Sequence, residues 1–463
     1  MVDSPVAVFD RLVRLDLPER APVLLDTVAV LGGSVAGLLA ARVLSDHAHK
    51  VLIIERDDQV NVEGRPRTGV PQDRQVHGVL TGGLELIKRW LPGFERELRD
   101  RGAVFVGSEQ MTTYVDGYEQ PRMGDDSHHH FTRPFFESRI RSRVLALPNV
   151  STLTAQVTGL EYRNDAVSAV RYAVDGVETA VDVDFAVDAM GRASKLSDWV
   201  EQAGYERPRL QRMQTGVSYA TALFERPANI QPTATVSRHS PLGRPDELAV
   251  ALLTPVEGDQ WLIGLTAFGK SQPPKTIEEF RTVCSTLPPG FAAVAAGSVT
   301  REVLNFHQAD SRRRDYVGLS RFPARLVSVG DAVASMNATY AQGMSSAALH
   351  ASCLSEYLVG EPDFASPADE FFALQEVAVD ALWASSAGAD ADRLAVMNGV
   401  EASEEVQQQR WAMGQIMQAS SRDEAIAEAC KAVFFVSAHP YTLADPTLLE
   451  RAIAVNQQVS ADA

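Results

Sequence analysis

The apolar residues of this chain fall into two rhythms. Short runs, Val28-Ala29-Val30-Leu31, Val51-Leu52-Ile53-Ile54 and Leu326-Val327-Ser328-Val329, predict buried strands. Alternating or β-branched stretches at 103–106, 151–162, 167–174, 215–224, 248–254 and 261–268 predict further strands, many of them antiparallel, in a mixed sheet. The small and aliphatic residues from Leu38 to Leu44, and again from Ser346 to Leu354, predict helices. From about residue 365 onward the spacing is helical, with Trp383, Leu394, Trp411, Ile416, Phe434 and Phe435 among its bulky apolar positions. Residues 1–26 carry only a weak amphipathic pattern (Val8, Leu12, Leu15) and read as an arm packed on the core.

What joins the first two runs is more specific. Gly32-Gly33-Ser34-Val35-Ala36-Gly37 lies between strand and helix, where a sharp turn aims unpaired N–H groups and the positive end of the helix at a pyrophosphate. Gly32 permits the turn, Ser34 takes the place of the usual middle glycine, and Gly37 lets helix and strand pack closely. The second run ends at Glu55 and Arg56, where an acidic side chain can accept hydrogen bonds from adenosine ribose hydroxyls. Strand, helix, strand and terminal acid complete a nucleotide-binding βαβ unit. Much later, the run at 326–329 leads into Gly330-Asp331, and Tyr340-Ala341-Gln342-Gly343-Met344-Ser345 opens the second small-residue helix. A strand-end Asp can bond a ribityl or ribose hydroxyl. A helix N-terminus at Gly343 and Met344 would stabilise negative charge on a reduced flavin ring. Two such motifs in this order point to FAD rather than NAD as the tightly held cofactor.

Composition narrows the setting. The 463 residues are 45% hydrophobic, enough for a large core and roughly two or three structural units. A net charge of −17 argues against nucleic acid or an anionic membrane surface as partner. With no signal-like N-terminus and no apolar run near the ~20 residues of a membrane span, the expected location is cytoplasmic. Cys284, Cys353 and Cys430 are widely separated and read as reduced structural thiols, and no metal site is expected. The chain divides into interleaved layers: an arm (1–26), FAD-binding parts (27–100, 133–200 and 317–360), substrate-domain strands (101–132), a substrate-binding β-sheet domain (201–316) and a C-terminal helical region (361–463). The polar loop 57–78 is either a mobile cofactor-side loop or an ordinary surface connection.

With both ends read, the chain resembles the FAD-dependent monooxygenases of the aromatic hydroxylase class, and most closely the actinobacterial branch containing the polyether polyene epoxidases. The resemblance rests on Gly32 to Leu44, Gly69-Val70-Pro71-Gln72 with His77, Arg133-Pro134, and Val187-Asp188-Ala189-Met190-Gly191-Arg192-Ala193-Ser194. It continues through Val217-Ser218-Tyr219-Ala220-Thr221, Arg312-Arg313-Arg314 and the segment from Gly330-Asp331 to Met344. It implies an α/β fold, a Rossmann-type FAD domain interleaved with a mixed-sheet substrate domain and followed by C-terminal helices. It also implies that Arg133 contacts the FAD diphosphate or adenine side, Asp331 the ribityl-diphosphate region, and Gly343-Met344 the isoalloxazine carbonyl. Three positions depart from the pattern. Met190 stands where relatives reduced directly by NADPH commonly have Asp, Ala338 where proline is usual, and Ala341 where glycine is common.

The chemistry implied is oxygen transfer. Reduced FAD and O2 give a C4a-hydroperoxide whose distal oxygen can pass to an electron-rich alkene or aromatic carbon, while the protein binds, orients and excludes water. Electrons would come from NADPH or NADH, directly or through a separate flavin reductase. The substrate expected is a hydrophobic secondary metabolite. Epoxidation needs no strong base. Phenol hydroxylation would use one, with His77 or a member of His128 to His130 suggested, and Asn337 and Tyr340 are further candidates beside the flavin. Alternatives are an FAD-dependent reductase or dehydrogenase of an isoprenoid or polyene double bond, and a non-catalytic flavin or lipid carrier; a halogenase lacks its Trp-x-Trp-x-Ile-Pro signature here. Gly264 to Ser271 matches the P-loop letters but is followed by Pro273-Pro274 and reads as a strand end plus loop. Arg312-Arg313-Arg314 reads as a solvated strand-end cluster, and His128-His129-His130 as solvated or substrate-side histidines.

Overall fold

The computed structural model describes residues 3–19, 21–58, 64–120, 128–239, 248–269 and 271–462. Its first sheet has five parallel strands in the order Leu326–Ser328, Phe185–Asp188, Leu25–Leu31, Ala48–Glu55 and Val150–Thr154. Val28 to Leu31 are fully buried, which is why this strand is an unbroken apolar run. Leu31 pairs with both Ile54 and Asp188, and Asp188 pairs with Ser328. The carboxyl ends of four strands therefore finish at one edge, so that Gly32, Glu55, Asp188 and Gly330 gather where open α/β sheets bind ligands. Helices Val35–His47, Thr81–Trp90 and Gly343–Val359 pack together over this sheet's core, and Arg133–Leu145 packs on the first of them. An antiparallel meander, Gln156–Arg163, Ala166–Val174 and Val177–Asp182, extends this layer.

The large sheet has eight strands, in the order Ala334–Ser335, Val299–Asp315, Arg209–Glu225, Gln260–Phe268, Leu248–Val256, Ala234–Arg238, Met111–Val115 and Tyr118–Glu119. It is mixed, since Ala234–Arg238 runs parallel to Met111–Val115 and the other neighbours are antiparallel. Strand alternation sorts Arg209–Glu225 into two faces. Ala220, Ala222 and Phe224 pack with Trp261, Ile263, Phe280 and Phe291 in a core covered by helices Ile277–Cys284 and Pro289–Ala295. Tyr219, Thr221 and Leu223 turn the other way, toward the nucleotide layer, where Thr221 Oγ1 donates to Gln75 Oε1 at 2.6 Å.

The remaining elements refine the sequence expectations. The N-terminal arm forms helix Pro5–Arg14, capped by Ser4 and anchored through Phe9 and Leu12. Helix Asp369–Met397 belongs to the main core through Phe371, Phe372, Val379 and Leu382, whereas Glu404–Ser420, Glu424–Phe434 and Pro446–Asp462 share a small core of their own around Ile416, Ile426 and Cys430. Trp411 and Phe434, read as apolar helix positions, are 52% and 53% exposed on that bundle. The arginine cluster is not simply solvated: Ala334–Ser335 pairs over Arg312 and Arg313, and Arg314 is buried, donating to the Ala332 carbonyl at 2.8 Å. The P-loop letters end a strand at Phe268, and the next helix starts only at Ile277; Lys270 lies outside the described residues. The three histidines form strand His128–His130 and diverge. His128 meets the Phe435 ring, His129 faces Glu95 at 3.7 Å, and His130 Nδ1 shares a hydrogen bond with Thr254 Oγ1 at 2.6 Å. All three cysteines are free and buried. Among the described residues no helix is long and apolar enough to cross a membrane.

Candidate FAD and substrate site

The glycine loop is shaped by contact. At Gly32, with φ of +109°, an added Cβ would lie 2.4 Å from the Ala189 carbonyl oxygen, and one at Gly37 would lie 1.9 Å from the Gly32 oxygen. Helix Val35–His47 starts with no side-chain cap, because the Ser34 hydroxyl is engaged elsewhere. It donates to Glu137 Oε2 at 2.9 Å and accepts from Arg133 Nη2 at 2.8 Å. The first-turn N–H groups thus keep no side-chain acceptor, which suits a pyrophosphate. Glu55 Oε2 accepts from Gly33 N at 2.8 Å and from Arg67 Nη1 at 3.2 Å, at the strand end where a ribose would lie. Arg56 beside it is exposed.

Beneath the loop sits a buried ionic cluster. Helix Arg133–Leu145 carries Arg133, Glu137 and Arg141 one turn apart on one face. Glu137 pairs with Arg133 at 2.8 Å, Arg141 at 2.7 Å and Arg67 at 2.9 Å, while Arg133 also pairs with Asp73 and Arg141 donates to the Gly33 carbonyl. Burial alone would raise the Glu137 carboxyl, but Arg133, Arg67 and Arg141 overrule it and hold it at about 2. Arg67 and Asp73 come from the 57–78 loop, so that segment is on the cofactor side; its residues 59–63 lie outside the described residues.

The flavin-side motif meets the first helix directly. Gly330 has φ of +62°, and a Cβ there would approach Ala36 Cβ at 2.5 Å. Its N–H donates to His350 Nδ1 at 2.8 Å, so burial and this bond keep His350 neutral, with its pKa lowered to about 3. Asp331 is half-buried, and its carboxyl is pushed up by burial against the opposing pull of Arg133 and Arg192. Helix Gly343–Val359 also begins without a side-chain cap; Gly343 is exposed at its tip, Met344 is buried behind it, and buried Gln342 Oε1 has no hydrogen-bond partner among the described residues. Two uncapped helix ends, glycines held by close contact and a free buried acceptor fit FAD.

Between the flavin-side helix and the large sheet lies a polar network. Tyr219 OH donates to Asn337 Oδ1 at 3.2 Å and bonds with Thr339 Oγ1 at 3.2 Å. Asn337 Nδ2 and Tyr340 OH both donate to Asp390 Oδ1, at 2.9 and 3.0 Å. Asp390 belongs to helix Asp369–Met397, so the C-terminal region closes one side of the site. His77 is half-buried on the loop before helix Thr81–Trp90; its Nδ1–H donates to the Gln75 carbonyl at 3.1 Å, leaving Nε2 as an acceptor, and burial holds the ring below its usual pKa. The next residue, Gly78, adjoins the Ala341 methyl group. At the middle motif, Asp188 accepts from Met190 N at 3.0 Å and Ser194 Oγ at 2.6 Å, and Arg192 pairs with Asp310.

The fold thus brings Gly32, Gly33, Ser34, Gly37, Glu55, Arg133, Gly330, Asp331, Gly343 and Met344 to one edge, with His77, Asn337 and Tyr340 on the side facing the sheet. Sequence reasoning missed Arg67, Asp73, Glu137, Arg141 and Asp390. The i, i+4, i+8 ladder of Arg133, Glu137 and Arg141 was a usable signal. Asp390 had none, since it lies in an Ala/Asp-rich stretch of low complexity.

Known proteins agree with this architecture. The family described as FAD binding domain matches residues 26–360. Protein Rv3254 of Mycobacterium tuberculosis is 31% identical over 342 residues, covering 70% of this chain and 71% of its own. The flavin-dependent brominase Bmp2 superposes with a TM-score of 0.63 at 16% identity, covering 93% of this chain and 98% of its own. For pqsL, a probable FAD-dependent monooxygenase from Pseudomonas aeruginosa, the TM-score is 0.55 at 16% identity, with 81% and 99% covered. At such identity the two structures share the fold. The chain is a flavoenzyme: it belongs to the FAD binding domain family.

Proposed function

We propose that this flavoenzyme is an FAD-dependent monooxygenase that inserts one atom of O2 into a hydrophobic secondary metabolite, by epoxidation or hydroxylation. One observation carries the reading. The loop Asn337–Tyr340, directly ahead of the flavin-side helix, is tied to the large sheet through Tyr219 and to the C-terminal helix through Asp390. Walls on those two sides would keep water from a reactive centre beside that loop. Bound FAD, once reduced, supplies the activation of O2. The glycine loop with Arg133 and Glu55 would bind its diphosphate and adenosine end, Asp331 its ribityl chain, and the N-terminus at Gly343 would stabilise negative charge on the ring. His77 is neutral with a free acceptor nitrogen and would take the proton of a phenolic substrate, a step an alkene does not need. The likeness of the sequence to polyether polyene epoxidases supports the alkene case, and Met190 in place of an acid supports slow direct reduction by NADPH, with a separate flavin reductase as the better donor.

The purified protein should be yellow, and Asp331→Ala should lose most of its FAD. Turnover under labelled O2 should leave one labelled atom in the product, with none from water unless an epoxide opens. A colourless protein with no FAD affinity contradicts the cofactor reading, and product without label from O2 contradicts the monooxygenase one. Stopped-flow mixing with NADPH tests the electron route: rapid flavin bleaching that requires substrate would mean that the enzyme reduces its own cofactor.

A further inference from the structure

The loop that carries Asp73 and His77 meets the large sheet through two cations and no acid. Arg301, on strand Val299–Asp315, stands opposite Leu223 in register, on the face turned toward this loop, where Val76 packs against Leu223. Its Nη2 donates to the Arg74 carbonyl at 2.7 Å, and its Nε is buried without a hydrogen-bond partner. Arg74 itself is exposed at the end of the turn Pro71–Arg74. Among the described residues neither arginine pairs with a carboxylate. Burial and the nearby charge of Arg74 lower the Arg301 guanidinium to about 10 from an ordinary 12.5. Other arginines of this chain are neutralised: Arg226 meets Asp259 at 2.7 Å, and Arg67, Arg133 and Arg141 each meet Glu137. With 60 acidic residues against 43 lysines and arginines, the sequence has acids to spare, yet none compensates this pair. Like charges held together with no counterion oppose folding, so the pair suits a ligand that supplies the negative charge. Two guanidinium groups offer forks of donors that match phosphate oxygens, and their two charges balance a dianion better than a single carboxylate.

We propose that Arg74 and Arg301 form a binding site for a phosphate monoester group, on the side of the 71–78 loop that faces the large sheet. Neighbouring residues of the turn divide the tasks: Asp73 is buried against Arg133 beneath the glycine loop, while Arg74 is exposed and its carbonyl meets the sheet. The site is therefore separate from the glycine loop that suits the FAD diphosphate. Two kinds of ligand carry such a group, a pyridine nucleotide phosphorylated on its adenosine ribose and a phosphorylated substrate. Either would steady the loop on which Gln75 bonds to Thr221 and the Leu304 carbonyl and on which His77 follows. Loss of one charged donor from such a contact weakens binding by about 10- to 100-fold.

The test is calorimetric titration of the FAD-loaded protein with inorganic phosphate, and in parallel with NADP+ and NAD+, which differ by one phosphate monoester and transfer no hydride. Wild type should bind inorganic phosphate saturably, and Arg74→Gln and Arg301→Gln should each weaken that binding by about tenfold or more while retaining FAD. A preference for NADP+ over NAD+ that vanishes in Arg74→Gln identifies the nucleotide as the source of the group. Equal binding of the two nucleotides, with phosphate still held, identifies a phosphorylated substrate. Absence of saturable phosphate binding in wild type, or unchanged affinity in both variants, overturns the proposal. So does a lowered melting point in Arg301→Gln together with wild-type phosphate affinity in Arg74→Gln, which would make Arg301 a structural strap for the loop. Because the probes report binding and not turnover, these outcomes stand apart from the fate of the oxygenase reading.

Discussion

Ala341 carries a backbone cost visible at a single residue. It has φ of +54°, in the left-handed region, at the position where relatives commonly have glycine. For a residue with a Cβ that region costs about 1–2 kcal/mol, while glycine gives back roughly 0.4–1 kcal/mol through the freedom of the unfolded chain. Ala341→Gly should therefore stabilise the protein by about 0.5–1 kcal/mol, read as a higher thermal midpoint. An unchanged or lower midpoint would mean that the methyl group, which faces Gly78 beside His77, contributes packing worth more than the strain. The departure was legible in the sequence; its conformational price was not, because φ at one residue depends on how the chain returns from Asn337 to the helix.

At the scale of elements, helix Arg133–Leu145 does more than display Arg133. Glu137 sits among three guanidinium groups and fixes their positions around Ser34 and Gly33. Removing one partner of such a buried network costs about 3–5 kcal/mol, because like charges are left facing one another. Glu137→Gln should lower stability by about that much and weaken FAD retention, measured by denaturant unfolding and by the absorbance of the isolated protein. With its carboxyl held at about 2 against an ordinary 4.5, Glu137 adds stability that is complete above about pH 4.5 and fades as pH falls toward 2. In Glu137→Gln that acid limb should flatten. The Arg133–Pro134 match located this helix in the sequence, but the partners Arg67 and Asp73 come from a loop far along the chain and show no period relative to it.

Across the whole molecule, acid sensitivity has a defined origin. His350 and His130 are held neutral by burial, with pKa values lowered to about 3 and about 4 from the ordinary 6.5. Because each binds a proton more readily when unfolded, stability declines as pH falls from about 6.5, by about 2 kcal/mol per histidine at pH 5. Melting at pH 7 and pH 5 should show that loss. His350→Asn, which keeps an acceptor for the Gly330 N–H, should remove the share of His350, about 2 kcal/mol at pH 5. A variant with the same pH dependence as wild type would clear His350 of the role.

The sequence by itself determined the parts whose chemistry is local. A strand, a glycine turn and a helix are neighbours in the chain, so Gly32 to Gly37, Glu55 and the Gly330-Asp331 motif declared a dinucleotide site through spacing alone, and the FAD binding domain family matches the chain across both motifs. Most strands were legible for the same reason, since alternation and apolar runs are short-range signals. Only the tertiary structure decided which side chains complete the site. Glu137 meets Arg67 and Ser34 across two separate segments, and Asp390 reaches Asn337 and Tyr340 from a C-terminal helix whose Ala/Asp-rich sequence reads as featureless. Such contacts form because layers pack, and the free energy that selects them depends on burial and on the charge of distant neighbours, neither of which is written in any local pattern.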